Sequence, residues 1–326
     1  MFKNLAPPYR WWPLLLFVTA NGLLFIPALP GLRYGAALML LAFVPGWIWL
    51  QAIFPASPQN PPERTPLPLD ALERAILATG LSLALTIIVT MFTVYLPGAI
   101  SFTPFLLALD TLIALGVILL WRRERVKSPA EGAQSEARIP KGRKAAQVSS
   151  VTYPSQGIDT APRFILPPSA FILLLLLLLF LAAVLRLPRL GYAEFHEDEA
   201  EALMLGVRLM QGEDYALFLH RKGPAQMLVP LAFWLLTGQI SEAMARFPFA
   251  LSSLLSVATL FVIGRRWFGM TAGFITALLW AVNGYAIAFG RMAQYQALIF
   301  FLGPLTLYCL YLARMEGWSV GRPVLS

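Results

Sequence analysis

The chain has 326 residues, 58% of them hydrophobic and only 13% charged. That is too little charge to cover a soluble domain, and the apolar residues fall in long blocks. The net charge of +8 raises nucleic-acid binding, but no aromatic interleaving or recognition motif accompanies it, so no nucleic-acid partner is assigned.

Roughly 20 apolar residues cross a ~30 Å hydrocarbon layer as a helix. Segments 11–29, 35–54, 74–96 and 102–121 come near that length and form an N-terminal four-span module, residues 1–121. Asp110 lies inside the fourth, where an acid either pairs with a neighbouring helix or lines a polar path. Period-2 alternation is absent, which excludes a transmembrane barrel. The first block is longer than a signal-peptide core, and further spans follow it.

Residues 122–165 read as a disordered linker rich in Ser, Pro, Ala and Gln, around Arg122-Arg-Glu-Arg-Val-Lys127 and Lys141-Gly-Arg-Lys144. Nine of the 25 Lys and Arg residues fall within 122–163, which holds this segment on the cytoplasmic side, against anionic lipid. Lys3 and Arg10, the 55–73 loop with Arg64, and the Arg265-Arg266 turn then share that side, and both termini are cytoplasmic.

A second module, 166–326, carries spans at 166–185, 248–264, 272–290 and 296–313. The expected fold is all-α: a polytopic bundle of about eight spans, with extracytoplasmic juxtamembrane helices in segment 186–247. The run 225–237 is too short to span and is expected to lie along the membrane surface. Cys309, the lone cysteine, excludes an intramolecular disulfide framework and a zinc–thiolate cluster.

Eight of the 17 acids and both histidines lie in 186–247. Five acids crowd into Glu194-Phe-His-Glu-Asp-Glu-Ala-Glu201, a density that cannot sit in hydrocarbon. Ala200, Leu203, Met204, Val207 and Met210 follow with helical spacing, and Gly212 marks a stop. The acids are read either as a solvated helix start or as a site with a catalytic carboxylate. A zinc site on His196 and His220 lacks tight ligand spacing, so no metal or cofactor is assigned. Further on, His220-Arg-Lys-Gly-Pro224 puts cations before an apolar helix, suited to snorkelling or to gripping a lipid phosphate. Glu242, Arg246 and Arg291 fall on the same face, with Glu242 and Arg246 also open to a structural pairing.

The second half resembles the GT-C class of integral-membrane glycosyltransferases, in the branch of protein O-mannosyltransferases and bacterial aminoarabinose transferases. The resemblance covers about 166–313. It rests on the order of Leu185-Arg-Leu-Pro-Arg-Leu190, Asp198-Glu199-Ala200, Gln211-Gly-Glu-Asp214, Lys222-Gly-Pro224, Leu236-Thr-Gly238 and Glu242, followed by Arg246-Phe-Pro248, Gly264-Arg-Arg-Trp-Phe-Gly269 and Phe289-Gly-Arg291. It implies sugar transfer from a polyprenyl-phosphate carrier to an acceptor (lipid, glycan or protein) on the extracytoplasmic face. The acidic motif, Asp198 with Glu199, then serves the acceptor side, and Lys222 meets the carrier phosphate with Arg291 in support. His220, Glu242 and Arg246 would assist. The family pattern Lys-Pro-Pro is Lys-Gly-Pro here, and Gln294-Tyr-Gln296 stands where many members have an acid. Relatives carry further spans after this part, which implies a shortened member, a fragment or a split subunit needing a partner. A non-catalytic carrier-binding relative and a transporter are the alternatives; charges in an outer loop instead of at the midplane argue against transport.

Chemistry supports the same roles independently. A phosphate leaving group needs no general acid, so one carboxylate base and a cationic grip on the departing phosphate suffice. Direct attack would invert the anomeric carbon.

Overall fold

The computed structural model describes residues 12–26, 30–53, 69–137 and 168–315. In chain order the elements are α1 (Trp12–Leu24), α2 (Pro30–Ala42), α3 (Val44–Ile53), α4 (Ala71–Val94), α5 (Phe102–Ala137), α6 (Pro168–Arg186) and α7 (Glu197–Met210). After them come α8 (Ala216–Leu219), α9 (Ala225–Thr237), α10 (Glu242–Phe268), α11 (Met270–Ala281), α12 (Gly284–Gly290) and α13 (Tyr295–Met315). No strand occurs among the described residues, so the protein is an all-α membrane bundle.

Each of the eight apolar segments coincides with a helix or helix pair. Five described helices are long and apolar enough to cross a bilayer: Pro30–Ile53, α4, Phe102–Arg122, α10 and Tyr295–Arg314. The pair α11–α12 makes a sixth if it counts as one span. The apolar helices α1, Phe171–Arg186 and α9 are shorter.

Two corrections concern element limits. α5 runs on to Ala137, so residues 122–137 of the expected linker are helical; 138–165 lie outside the described residues. The expected span 272–290 is two helices, with a 61° bend between α11 and α12. Where α11 ends, Arg186 Nη1 and Nη2 donate to the carbonyls of Ala281 and Trp280, the latter also accepting from the Asn283 N–H. Asn283 then caps α12 by accepting from the Ala286 N–H at 2.9 Å, which restarts the helix in a new direction.

α10 and α11 meet as a close hairpin because of two glycines. A Cβ on Gly264 would stand 2.8 Å from Gly273 Cα, and one on Gly273 would stand 2.6 Å from Arg265 N. A methyl group at either position would force the helices apart. The hairpin presents Arg265 and Arg266 to the start of α4, where Asp70 and Glu73 form a capping box. Arg265 pairs with Asp70 and Glu73, and Arg266 pairs with Glu73 at 3.1 Å. The start of α4, where the 55–73 loop ends, and the Arg265-Arg266 turn therefore share one end of the bundle; residues 55–68 lie outside the described residues.

The other end collects segment 187–241 and the loops around residues 96–101 and 282–294. Tyr95 meets Phe218 there at 6.4 Å between ring centroids. Arg33 of α2 donates to the Leu236 carbonyl at 2.9 Å, and Tyr34 donates to the Gln239 amide oxygen.

α9 is the main surprise. It has the short length read from the sequence, but every residue from Gln226 to Thr237 is buried. Leu228, Leu231, Leu235 and Leu236 join a core built mainly from α1–α5 with α7 and α8. Val229 and Trp234 join one built mainly from α6, α10, α11 and α13 that also takes in Leu50 of α3 and Ile76, Leu77 and Leu83 of α4. α9, read from the sequence as too short to span and lying along the membrane, is thus enclosed by protein. It is the plug on which the two modules close.

Candidate active site

The site grows from the first turn of α7. His196 sets the cap: its Nδ1 accepts from the Asp198 N–H at 3.3 Å, and its own N–H donates to Glu199 Oε2 at 3.0 Å. Three consecutive acids, Glu197, Asp198 and Glu199, then occupy the positive end of the helix. Gly212 follows the helix with φ +88°, the expected stop.

The buried stripe of α7 matches the expected one only in part: Leu203 is buried and Val207 and Met210 pack against the core, but the centre of the buried face lies elsewhere. Ala202, Leu203, Leu205, Gly206 and Leu209 face inward with Glu199, and Met204 is exposed. The face is rotated because Glu199 is drawn into the protein by Arg246.

That pair is saturated. Arg246 Nε and Nη2 donate to Glu199 Oε1 and Oε2, both at 2.9 Å. Its remaining donors go to the carbonyls of Leu190, Ala193 and Glu194 at 2.9–3.0 Å. Glu199 Oε1 also accepts from the Ala293 N–H at 2.6 Å. Glu199 is 1% exposed, with both oxygens fully engaged, and Arg246 has no donor left for a phosphate. The carboxylate partner of Arg246 is Glu199, so the expected pairing with Glu242 is corrected; Glu242 is exposed in the first turn of α10.

Asp198, one residue earlier, points the other way. Its Oδ2 lies 2.6 Å from Lys222 Nζ, and the two side chains are 40% and 33% exposed. Gln294 Nε2 donates to the same oxygen at 3.3 Å. Lys222 first, then Gln294, hold the Asp198 carboxyl below its ordinary value of 3.8. Lys222 is presented by a turn in which Gly223 has φ +92°. Proline is locked near −65°, so the familial Lys-Pro-Pro cannot adopt this turn, and glycine is what the backbone here demands.

A buried amide joins these pieces. Gln226 Nε2 donates to the carbonyls of Ala293 at 2.8 Å and Asp198 at 3.4 Å. Its Oε1 must then accept, so His220 Nε2, 3.2 Å away, is the protonated ring nitrogen. His220 thus stands behind the site and stiffens it.

Arg291 sits on the loop that carries Gln294. Its Nη1 reaches the carbonyls of Leu185 and Arg186 at 3.4 Å each, and the guanidinium lies 5.4 Å from the centroid of the Tyr192 ring, which is 70% exposed. Nε and Nη2 of Arg291 carry no hydrogen bond among the described residues. Of the site's two arginines, 246 and 291, only Arg291 has donors to offer an anion. No group of three His, Cys, Asp or Glu side chains among the described residues is placed to hold a metal ion.

Sequence reasoning paired Asp198 with Lys222 as chemistry, and the fold brings them into contact. It missed Gln226, the holding role of Gln294, and Arg186, which is 0% exposed and bonded to Ser253 Oγ at 2.9 Å. Asp110 takes the first of its two expected options, accepting from Asn21 of α1 at 3.2 Å.

Residues 222–319 match the family model of dolichyl-phosphate-mannose-protein mannosyltransferase, and residues 15–147 match a domain of unknown function (DUF8471). No curated protein and no solved structure matches the chain. The mannosyltransferase match takes in Lys222, Arg246, Arg291 and Gln294 and begins after Asp198. Over this stretch the chain is similar to a membrane glycosyltransferase of the GT-C type that uses a lipid-linked donor.

Proposed function

We propose that the protein moves a sugar from a polyprenyl-phosphate carrier to an acceptor hydroxyl at the face bearing Asp198 and Lys222, which is the extracytoplasmic face. The sidedness rests on the basic residues of 122–163. The observation that carries the reading is the exposed Asp198–Lys222 pair, an acid and a cation held 2.6 Å apart beside a saturated Glu199–Arg246 frame.

The donor phosphate takes Lys222 away from Asp198 and gains Arg291 through its spare Nε and Nη2. Asp198 then accepts the proton of the acceptor hydroxyl as its oxygen attacks the anomeric carbon. The bond from that carbon to the phosphate oxygen breaks, its electron pair leaves on the carrier phosphate, and Lys222 and Arg291 hold the charge that builds there. Attack opposite the leaving group inverts the anomeric configuration. Glu199, Arg246 and His220 act by fixing the first turn of α7 and the 290–294 loop.

The test is transfer from a panel of polyprenyl-phosphate sugars by purified protein in liposomes. Asp198→Asn should abolish transfer while leaving insertion and melting unchanged; near-normal turnover would remove Asp198 from its role. A second reading, carrier binding without catalysis, is favoured by the engagement of Asp198 with Lys222 and by an amide at position 294. Carrier binding without transfer for every donor would select it.

A further inference from the structure

Gln294 stands where many members of the resembled class have an acid, and its surroundings give it a different job. A carboxylate only accepts hydrogen bonds, so the amide must turn its N–H toward Asp198 Oδ2, 3.3 Å away. Lys222 contacts the same oxygen. The two partners differ in freedom. Lys222 is one-third exposed on a flexible stem, whereas Gln294 is 2% exposed. The backbone next to Gln294 is tied twice: the Ala293 N–H donates to Glu199 Oε1 at 2.6 Å, and the Ala293 carbonyl accepts from Gln226 at 2.8 Å.

We infer that Gln294 is a positioning residue, a fixed neutral donor that keeps the Asp198 carboxylate aimed when Lys222 leaves it for the donor phosphate. This rests on the transfer reaction proposed above. A neutral donor orients the base without cancelling its charge, which a second cation would do. A second acid would instead make the two carboxyls share a proton. The titratable or charged groups facing Asp198 are Lys222 from the turn before α9 and His196 from its own cap. Behind them stand Glu199 with Arg246 of α10, His220 against Gln226, and Arg291 on the loop carrying Gln294.

The experiment measures kcat, donor KM and pH profile for wild type, Gln294→Met and Gln294→Glu, each with a melting curve. Methionine keeps the shape and deletes the donor; kcat should fall about ten- to a hundredfold, the scale of one hydrogen bond to a charged group, with donor KM unchanged. Gln294→Glu should be active while the pair shares one proton, and should gain a descending limb at lower pH than any decline of wild type as the second carboxyl ionises. A merely structural role would not create that limb. Unchanged kcat in Gln294→Met, or a wild-type pH profile in folded Gln294→Glu, overturns the inference and leaves the transfer reading intact. Wild type without transfer overturns both. If Gln294→Glu does not fold, the kcat and KM of Gln294→Met decide.

Discussion

Replacing Arg246 by methionine keeps much of the side chain's length and deletes its five hydrogen bonds to Glu199, Leu190, Ala193 and Glu194. The largest consequence falls on Glu199. It stays 1% exposed, keeps only the N–H groups of Ala293 and His196, and loses the cation that neutralised it. Breaking a buried ion pair from one side costs about 3–5 kcal/mol, most of it from the charge left behind. The three carbonyls lie at the end of the bundle and rehydrate in part, so each adds less than the about 1–3 kcal/mol of a fully stranded group. A double-mutant cycle in mixed micelles, with unfolding driven by dodecyl sulfate, measures this directly. Arg246→Met alone should lose about 3–5 kcal/mol. Arg246→Met with Glu199→Leu should lose about 1–3 kcal/mol less than the sum of the single variants. A loss under about 1 kcal/mol for Arg246→Met, or strict additivity, would refute the idea of a buried keystone, because a hydrated surface pair behaves that way.

Lys222→Ala should raise the donor KM and weaken binding of polyprenyl phosphate in nanodiscs; unchanged carrier affinity would detach Lys222 from the phosphate. Gly223→Pro, which restores the familial Lys-Pro-Pro, should destabilise by more than about 1 kcal/mol and lower kcat/KM, since proline cannot take φ +92°. Equal melting and activity would show that the turn has another conformation. Asp198 has a lowered pKa while Lys222 is its partner, so the acid limb of kcat/KM, which reports free enzyme, should lie below the ordinary carboxylate range. Once the phosphate holds Lys222 that cause is removed, so the limb of kcat should lie at higher pH; coincident or reversed limbs would contradict the exchange of partners. The same lowering is a stability contribution present above the ordinary Asp value and lost as pH falls through the folded one, kept small by exposure.

Much of this was legible because it depends on local chemistry. Apolar blocks announced the helices, three acids after His196 announced the start of α7, and charge placement put Arg265-Arg266 on the same end as the start of α4. The Asp198 and Lys222 motifs were legible for the same reason: an acid cluster and a cation before an apolar helix are conspicuous. What was hidden depends on partners distant in sequence. The rotation of α7 follows from Glu199 seeking Arg246, which hydrophobic spacing cannot register. Gln226 and Gln294 are neutral amides without a motif, and only the closing of the 290–294 loop onto α7 gives them work. At the bend of α11–α12, Arg186 from another helix donates to the carbonyls where α11 ends. Even α9 was judged against the thickness of a bilayer, when its surroundings are the two halves of the protein itself.

That last point gives the N-terminal module a physical task. α9 begins directly after Lys222-Gly-Pro224, so whatever seats α9 also limits where Lys222 can reach. Its flank is covered by the core built mainly from α1–α5, and the chain just before its end is held by the Arg33 bond to the Leu236 carbonyl. The C-terminal module supplies the opposite wall and the saturated Glu199–Arg246 frame. Transfer chemistry needs both kinds of group. A residue with every donor and acceptor engaged can fix geometry but cannot meet a substrate, and a residue with a donor or acceptor to spare can meet a substrate only if something else fixes it. Glu199 and Arg246 are the first kind; Asp198, Lys222 and Arg291 are the second, each within a residue or two of a buried anchor. The division runs through adjacent positions of one helix turn, Asp198 outward and Glu199 inward, and under the proposed reaction this gives the two neighbouring acids separate tasks.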